Sequence, residues 1–585
     1  MIVLFSLGAG CVVAGRLAPA AVTEPAADFD PISTSLPSTI VPERATDTPN
    51  PTPTPVPFEP LSFSASDCDY GGAFKAIEAV DAHTVRFTLC KPDPAFLAKI
   101  AFPTFGIQPQ EWLEQTGGGG QNSDLLVKPV GTGPYMLDEW KRGEVLTLKA
   151  FDRYWGEEKA LTPNLVFHWN FDEAQRLLEL QTGTVQGIDN VYSMDFAAVQ
   201  DDPNLALLTR PPLNTFYIGI NNNQPPLDNE KVRQALAMGI DRALVLENSF
   251  PPGYEVASFF APCTLPNACV GEPWYDFDPV TARDLLAEAG YPDGFEVELA
   301  YRDVVRSYLP RPARVAKEIQ TQLQKNLNVQ VKLKAMDSQE YLQAVDAGTL
   351  TGLFLLGWGA DYPDVSNFLD FNFGSQAPPQ FGKPYDDIVD ALQKGAASFG
   401  DEARQPYYET ANLLIRQHVP AIPVSHGGWA LPDDLAVAYA RAVEGAHASP
   451  LGVENFSLVQ VPGQDTFTWM QAVEPRSLYC ADETEVESLR VCAQIMETLY
   501  RYETGGVAVQ PGLAEACEPS PDLTIWNCSL RKDVIFQDGS ALDANDVVLS
   551  FAVQWDAASP LHKGNSGNFA YFKSFWGAFM NASQP

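Results

Sequence analysis

Two short strand-like runs, 296–300 and 329–333, bracket a stretch at 314–325 whose apolar residues recur every three to four positions. Adjacent parallel strands need a connection about as long as a helix, so this spacing predicts a β-α-β crossover unit. Similar alternation runs through the chain. Helical periodicity marks 172–180, 229–238, 279–289 and 404–418, strand-like runs mark 216–220 and 352–356, and 76–89 reads as two short strands joined by a turn. The fold class is therefore α/β. At 585 residues with 45% apolar side chains, the chain is too long for one core and has material for a core in each of several lobes.

Charge removes some partners. The 74 acidic and 38 basic side chains give a formal charge of -36, which repels a phosphate backbone or an anionic membrane. Nucleic acid is not an expected partner. Eight of the nine cysteines are near neighbours along the chain: Cys68 with Cys90, Cys263 with Cys269, Cys480 with Cys492, and Cys517 with Cys528. With no CxxC pair and six histidines, this spacing points to local disulfides in an oxidising compartment and away from a metal site. No cofactor is expected.

The ninth cysteine, Cys11, ends a short apolar run, LFSLGAG, and resembles the acylated cysteine of a lipoprotein signal, although Gly8 stands where such signals usually carry Leu. From about 31 to 60 the chain is rich in Pro, Thr and Ser, including TPNPTPTPVP, the composition of an extended spacer. Two runs read as interlobe crossings or, equally well from composition, as ordinary edge strands: strand 217–220 with Asn221, Asn222 and Asn223, and the run VPAIPV at 419–424. They divide the chain into a signal-like segment and linker (1–60), the first part of a large lobe (61–216), a second lobe (217–424) and the remainder of the large lobe (425–585).

The motifs carry a family resemblance. GTGPY at 131–135, Trp140, FDRYWG at 151–156, the NNxxxPxDNxxVRQAxxxxIDR pattern at 222–242, YDFDPxxAxxLLAEAGYPDGF at 275–295 and GWGADYPD at 357–364 stand in one order. Together the chain resembles family 5 of the bacterial extracellular solute-binding proteins, which serve ABC importers for peptides, nickel and related ligands. Physically, Gly131 and Gly133 suit a turn with positive dihedrals, and Asp228 suits the cap of the helix that follows. The segment with which family members normally begin stands here at the C-terminus: ETLYRYE at 497–503, PGLAE at 511–515 and LRKDVIFQDGSALDANDVVLSF at 530–551. That order implies a circular permutation. Gln537 replaces the family's usual His and reads as structural.

The resemblance implies a two-lobed periplasmic-binding-protein-like (type II) fold with an interlobe ligand cleft. It also implies a monomeric, extracellular receptor that hands a peptide to a membrane permease without catalysis. A peptide needs an anionic anchor, a cationic anchor and apolar walls. Asp361 matches the family's aspartate for the ligand ammonium, or else caps a turn beside Pro363. Arg306 stands where dipeptide-binding members place the arginine for the ligand carboxylate, a task suited to a guanidinium fork; Arg302, Arg311 and Arg314 are alternatives in the same stretch. Trp358 and Tyr362 are candidate walls. Trp469 and Glu474 correspond to a cleft-lining segment, with Trp469 equally placed to be core. Enzymatic motifs, a GxSxG elbow or HExxH, do not occur. Oligosaccharide, a nickel chelate or a signalling role are the alternatives.

Overall fold

The computed structural model describes residues 58–428 and 434–582; Cys11 and most of the Pro-rich segment lie outside them. Three sheets organise the chain. One lobe holds a five-stranded sheet, in the order Ser62–Ser64, Phe74–Asp81, Thr84–Leu89, Ile525–Leu530, Ala514–Pro519. It also holds a seven-stranded sheet, in the order Tyr135–Lys141, Val145–Ala150, Asn164–Trp169, Thr466–Gln471, Gly187–Ile188, Ala436–Ala440, Leu205–Thr209. The second lobe is built on six strands: Glu255–Val256, Ala421–Gly427, Asn214–Ile220, Leu353–Gly359, Glu296–Arg302, Gln330–Met336.

The crossover unit forms as its spacing requires. Glu296–Arg302 and Gln330–Met336 pair in parallel through the helix Pro312–Leu327. That helix buries Val315, Ala316, Ile319 and Leu323 on one face, starts with proline in its first turn and stops at Asn328 in the left-handed region, with φ 54°. The helix Glu230–Gly239 is capped by Asn229, whose side chain accepts from Lys231 N, and not by the preceding Asp228. All four expected cysteine pairs are disulfides.

The interlobe crossings lie outside the two runs expected to carry them. Asn214–Ile220 and Ala421–Gly427 are adjacent central strands of the second lobe, with Ile218 opposite Ile422. A strand paired along its length cannot also be a hinge. Leu205–Thr209 and Ala436–Ala440 are likewise paired in the first lobe, so the chain crosses at 210–213 and returns between the strands Ala421–Gly427 and Ala436–Ala440. At this point Arg210, fully buried, ion-pairs with Asp434 of the other crossing at 2.7 Å, with Asp189 at 2.9 Å and with Glu454. Arg490 completes the cluster through Asp189 at 2.7 Å and Glu454 at 2.8 Å.

Glu497 explains why several motifs lie far apart in sequence. Its buried carboxylate accepts from Thr132 Oγ1 of GTGPY at 2.8 Å, and from Tyr154 Oη at 2.7 Å and Trp155 Nε1 at 2.6 Å of the FDRYWG run. The GTGPY glycines have no positive φ. They are needed for close approach: a Cβ on Gly131 would stand 2.1 Å from Ile495 O, and one on Gly133 2.7 Å from Gln494 O. Gln537 stitches the same place, donating to Tyr135 O at 2.8 Å and Ile495 O at 3.1 Å while accepting from Gly131 N.

Candidate functional site

Three parallel strands of the second lobe end at one edge, at Arg302, Met336 and Gly359. This is the carboxyl edge, where open α/β sheets place ligand sites. A cavity of about 310 Å³ opens there, and its lining includes Arg302, Arg306, Tyr308, Trp358, Asp361 and Phe371. Two of the expected anchors, Asp361 and Arg306, thus share one cavity with one expected wall, Trp358. Arg306, half-buried, sits on a tight reversal bridged to Leu309, with one guanidinium donor spent on Val305 O.

Asp361 follows the strand Leu353–Gly359 and is held by a residue that motif reading did not select. Asn367 Oδ1 accepts both from Asp361 N at 2.9 Å and from Trp358 Nε1 at 3.0 Å, and Asn367 Nδ2 donates to Asp361 Oδ2 at 3.4 Å. One amide therefore sets the anion and the indole together. Phe371 stacks on Trp358 at 3.9 Å between centroids and remains 41% exposed, giving the cavity an aromatic rim. Burial pushes the Asp361 carboxyl above its ordinary range, while Asn367 and the first lobe's Lys99 and Ser574 pull it back. A carboxylate so placed gains from an incoming ammonium, which restores the solvation it lost.

The remaining candidates are placed elsewhere. Tyr362 turns toward the first lobe, edge-on to Phe575 at 5.8 Å and 4.4 Å from the Lys99 ammonium, and is an interlobe contact outside the lining of this cavity. Trp469 is 0% exposed and packs against Tyr439 and Phe456 in the core of the seven-stranded sheet, so it presents no surface to a cleft. Glu474 closes the 140–143 turn, accepting from Trp140 Nε1 at 3.0 Å and Gly143 N at 3.1 Å and pairing with Arg142 at 3.1 Å. It is spent on structure. A smaller cavity of about 140 Å³ lies within the first lobe. Two of the acids lining it, Glu454 and Glu497, are already engaged by internal partners.

Asn367 and Phe371 were absent from the expected set, and Arg302 stood in it only as an alternative to Arg306. Asn367 and Phe371 follow the GWGADYPD motif within ten residues of Asp361, and only that proximity hints at them. His418, which bridges Glu230 and Asp387 at 2.7 Å each, and His426, whose Nδ1 lies 3.0 Å from Asn214 O, are outside the cavity lining.

Comparison with known proteins agrees with this architecture. The profile of bacterial extracellular solute-binding proteins, family 5 Middle, matches residues 42–380 and 508–573. The chain is 31% identical over 398 residues to heme-binding protein A of Haemophilus influenzae, covering 67% of this chain and 70% of that protein. It is 30% identical over 396 residues to di/tripeptide-binding protein 1 of Pseudomonas aeruginosa, covering 66% of this chain and 71% of that protein. The solved structure of HbpA2 from Haemophilus parasuis superposes with a TM-score of 0.60 at 30% identity, covering 66% of this chain and 76% of that one. Among the described residues no helix is long and apolar enough to cross a membrane. The chain belongs to family 5 of the bacterial extracellular solute-binding proteins, a family of binders and not of enzymes, built on the two-lobed type II fold.

Proposed function

We propose that this chain is the extracellular receptor of an ABC importer and that it captures short peptides at the carboxyl edge of its second lobe. The observation that carries the reading is the single cavity that Asp361, Arg306 and Trp358 share. A carboxylate for the ligand ammonium, a guanidinium for its carboxylate and an indole wall are what a zwitterion requires. A sugar site would instead be expected to stack rings without the arginine, and a chelate site to present histidine. Dipeptide- and di/tripeptide-binding relatives from Escherichia coli and Pseudomonas aeruginosa support the peptide class. Ligand entry followed by closure about the crossings excludes water, which strengthens both ion pairs. The closed form then docks on the permease as a monomer.

The test is thermal unfolding of the full chain with di- to pentapeptides, heme, sugars and nickel, because a ligand that binds only the native state raises the midpoint. A rise with short peptides that is lost on blocking their termini supports the reading. A rise only with heme, sugar or metal overturns it. Asp361→Ala should leave the unliganded midpoint near its original value and weaken peptide binding at least about tenfold, or ~1.4 kcal/mol. Unaltered affinity would remove Asp361 from the site.

Two features concern the receptor as a whole. Acylation at Cys11 would tether it to the outer face of the membrane; a lipid label that persists in Cys11→Ser excludes this. A permuted segment order is supported by the C-terminal strands being integral to the sheets: Thr466–Gln471 lies between Asn164–Trp169 and Gly187–Ile188, and Ile525–Leu530 pairs with Thr84–Leu89. Residues flanking the permuted ends also meet, with Ala73 N donating to Trp576 O at 2.6 Å. A chain reordered so that 465–582 precede 58–464 should fold and bind equally; its failure to fold argues against permutation.

A further inference from the structure

Arg302 is an arginine of unusual circumstance. It ends the strand Glu296–Arg302, is 9% exposed and lines the cavity. Its guanidinium is held only by hydroxyls: Nη1 donates to Ser338 Oγ and Nη2 to Tyr308 Oη, each at 3.1 Å. Other buried arginines are matched differently. Arg210 and Arg490 face carboxylates, Arg404 meets Asp364 at 2.7 Å, and Arg176 donates to the backbone carbonyls of Asn170, Phe171, Asp189 and Asn190. Among the described residues no carboxylate pairs with Arg302 in this way.

An arginine cannot shed its charge at any ordinary pH, and a guanidinium has five N–H donors. Leaving such a charge buried at a cavity wall is costly unless an anion or water meets it. In the peptide reading, on which this inference rests, Arg306 already serves the terminal carboxylate and Asp361 the ammonium. Asp346 also lines the cavity, but it is exposed at the rim, where solvent screens it. The cavity therefore has one cation more than a neutral dipeptide uses.

We propose that Arg302, oriented by Tyr308 and Ser338, is a second anion anchor, and that the cavity selects short peptides whose C-terminal residue carries a side-chain carboxylate. Arg302 and Arg306 stand four residues apart and line one cavity, so the two guanidinium groups address two carboxylates of a single residue. The neutral hydroxyl partners keep the Arg302 plane fixed without cancelling its charge. An amide of the same shape as the acid meets the same walls but leaves the guanidinium unneutralised.

Calorimetric titration of the full chain with Ala-Glu and Ala-Gln tests this, with Glu-Ala and Gln-Ala as the positional control. The expected result is Ala-Glu bound at least about fivefold more tightly than Ala-Gln, with no such preference between the control pair. In Arg302→Gln the preference for Ala-Glu should vanish. Equal binding of Ala-Glu and Ala-Gln by the unmodified protein, or a preference that survives in Arg302→Gln, overturns the second anchor while leaving the peptide reading intact. Binding of neither pair overturns both. Because the first comparison uses the unmodified protein, it stands even if the variant does not fold.

Discussion

Asn367 shows how a residue that need not touch ligand sets the site. Its amide oxygen receives both the Trp358 indole and the Asp361 backbone, and its nitrogen reaches the Asp361 carboxylate. Asn367→Ala removes the common partner, leaving the indole N–H to find water and the carboxylate free to rotate. A lost hydrogen bond of this kind is worth about 1 kcal/mol, so peptide affinity should fall roughly fivefold. Titration calorimetry on the folded variant checks this, and unchanged affinity would show that Asp361 is positioned by its backbone alone.

At the scale of elements, buried charges tie the crossing residues Arg210 and Asp434 to the first lobe. Two arginines, 210 and 490, meet three acids, Asp189, Asp434 and Glu454. Negative charge is in surplus, so one acid must hold a proton more readily than the rest. Burial and the neighbouring acids push Asp434 up to about 6 against the pull of Arg210. Glu454, contacted by both arginines, is held down at about 2 against its own burial. Glu454→Gln takes away the shared counter-ion of two fully buried guanidinium groups. Breaking a buried pair on one side costs roughly 3–5 kcal/mol, and denaturant unfolding should register a loss of that order. A loss below about 1 kcal/mol would mean that Asp189 and Asp434 suffice.

For the whole molecule, buried acids set the response to pH. Burial pushes Asp370 and Glu483 up to about 7 and Asp546 up to about 8, alongside Asp434 at about 6. A group whose folded pKa lies above its unfolded value contributes stability below the unfolded value, and that contribution is lost as pH rises through the folded one. His426 acts oppositely: burial lowers it to about 4, so it disfavours the fold increasingly as pH falls from its ordinary value toward 4. Asp364, drawn down to about 2 by Arg404 against its burial, and Glu454 contribute stability that is lost as pH falls through the acid range. Four raised acids outweigh one histidine between about pH 5 and 8, so the melting midpoint should peak near pH 5 and decline toward pH 8. Midpoints that climb steadily from pH 5 to 8 would contradict this. The formal charge of -36 acts in the same direction, since self-repulsion grows as the last acids ionise.

Periodicity and motif spacing were sufficient for the α/β class, the crossover at 296–336, the four disulfides and the family, because each is written in residues close together along the chain. The same local signals placed Asp361, Arg306 and Trp358 among the candidates. Only the tertiary structure decided which candidates share a cavity. Trp469 and Trp358 both lie on strands flanked on either side, yet Trp469 is packed in the core against Tyr439 and Phe456 while Trp358 stands beside the cavity near the carboxyl end of its strand. The crossings, too, depended on pairing: 217–220 and 419–424 look hinge-like until the strands they belong to are seen side by side. The charge on Arg302 became informative only once its surroundings showed hydroxyls where other buried arginines have carboxylates or carbonyls. Burial and pairing are properties of residues distant in sequence, and no local pattern encodes them.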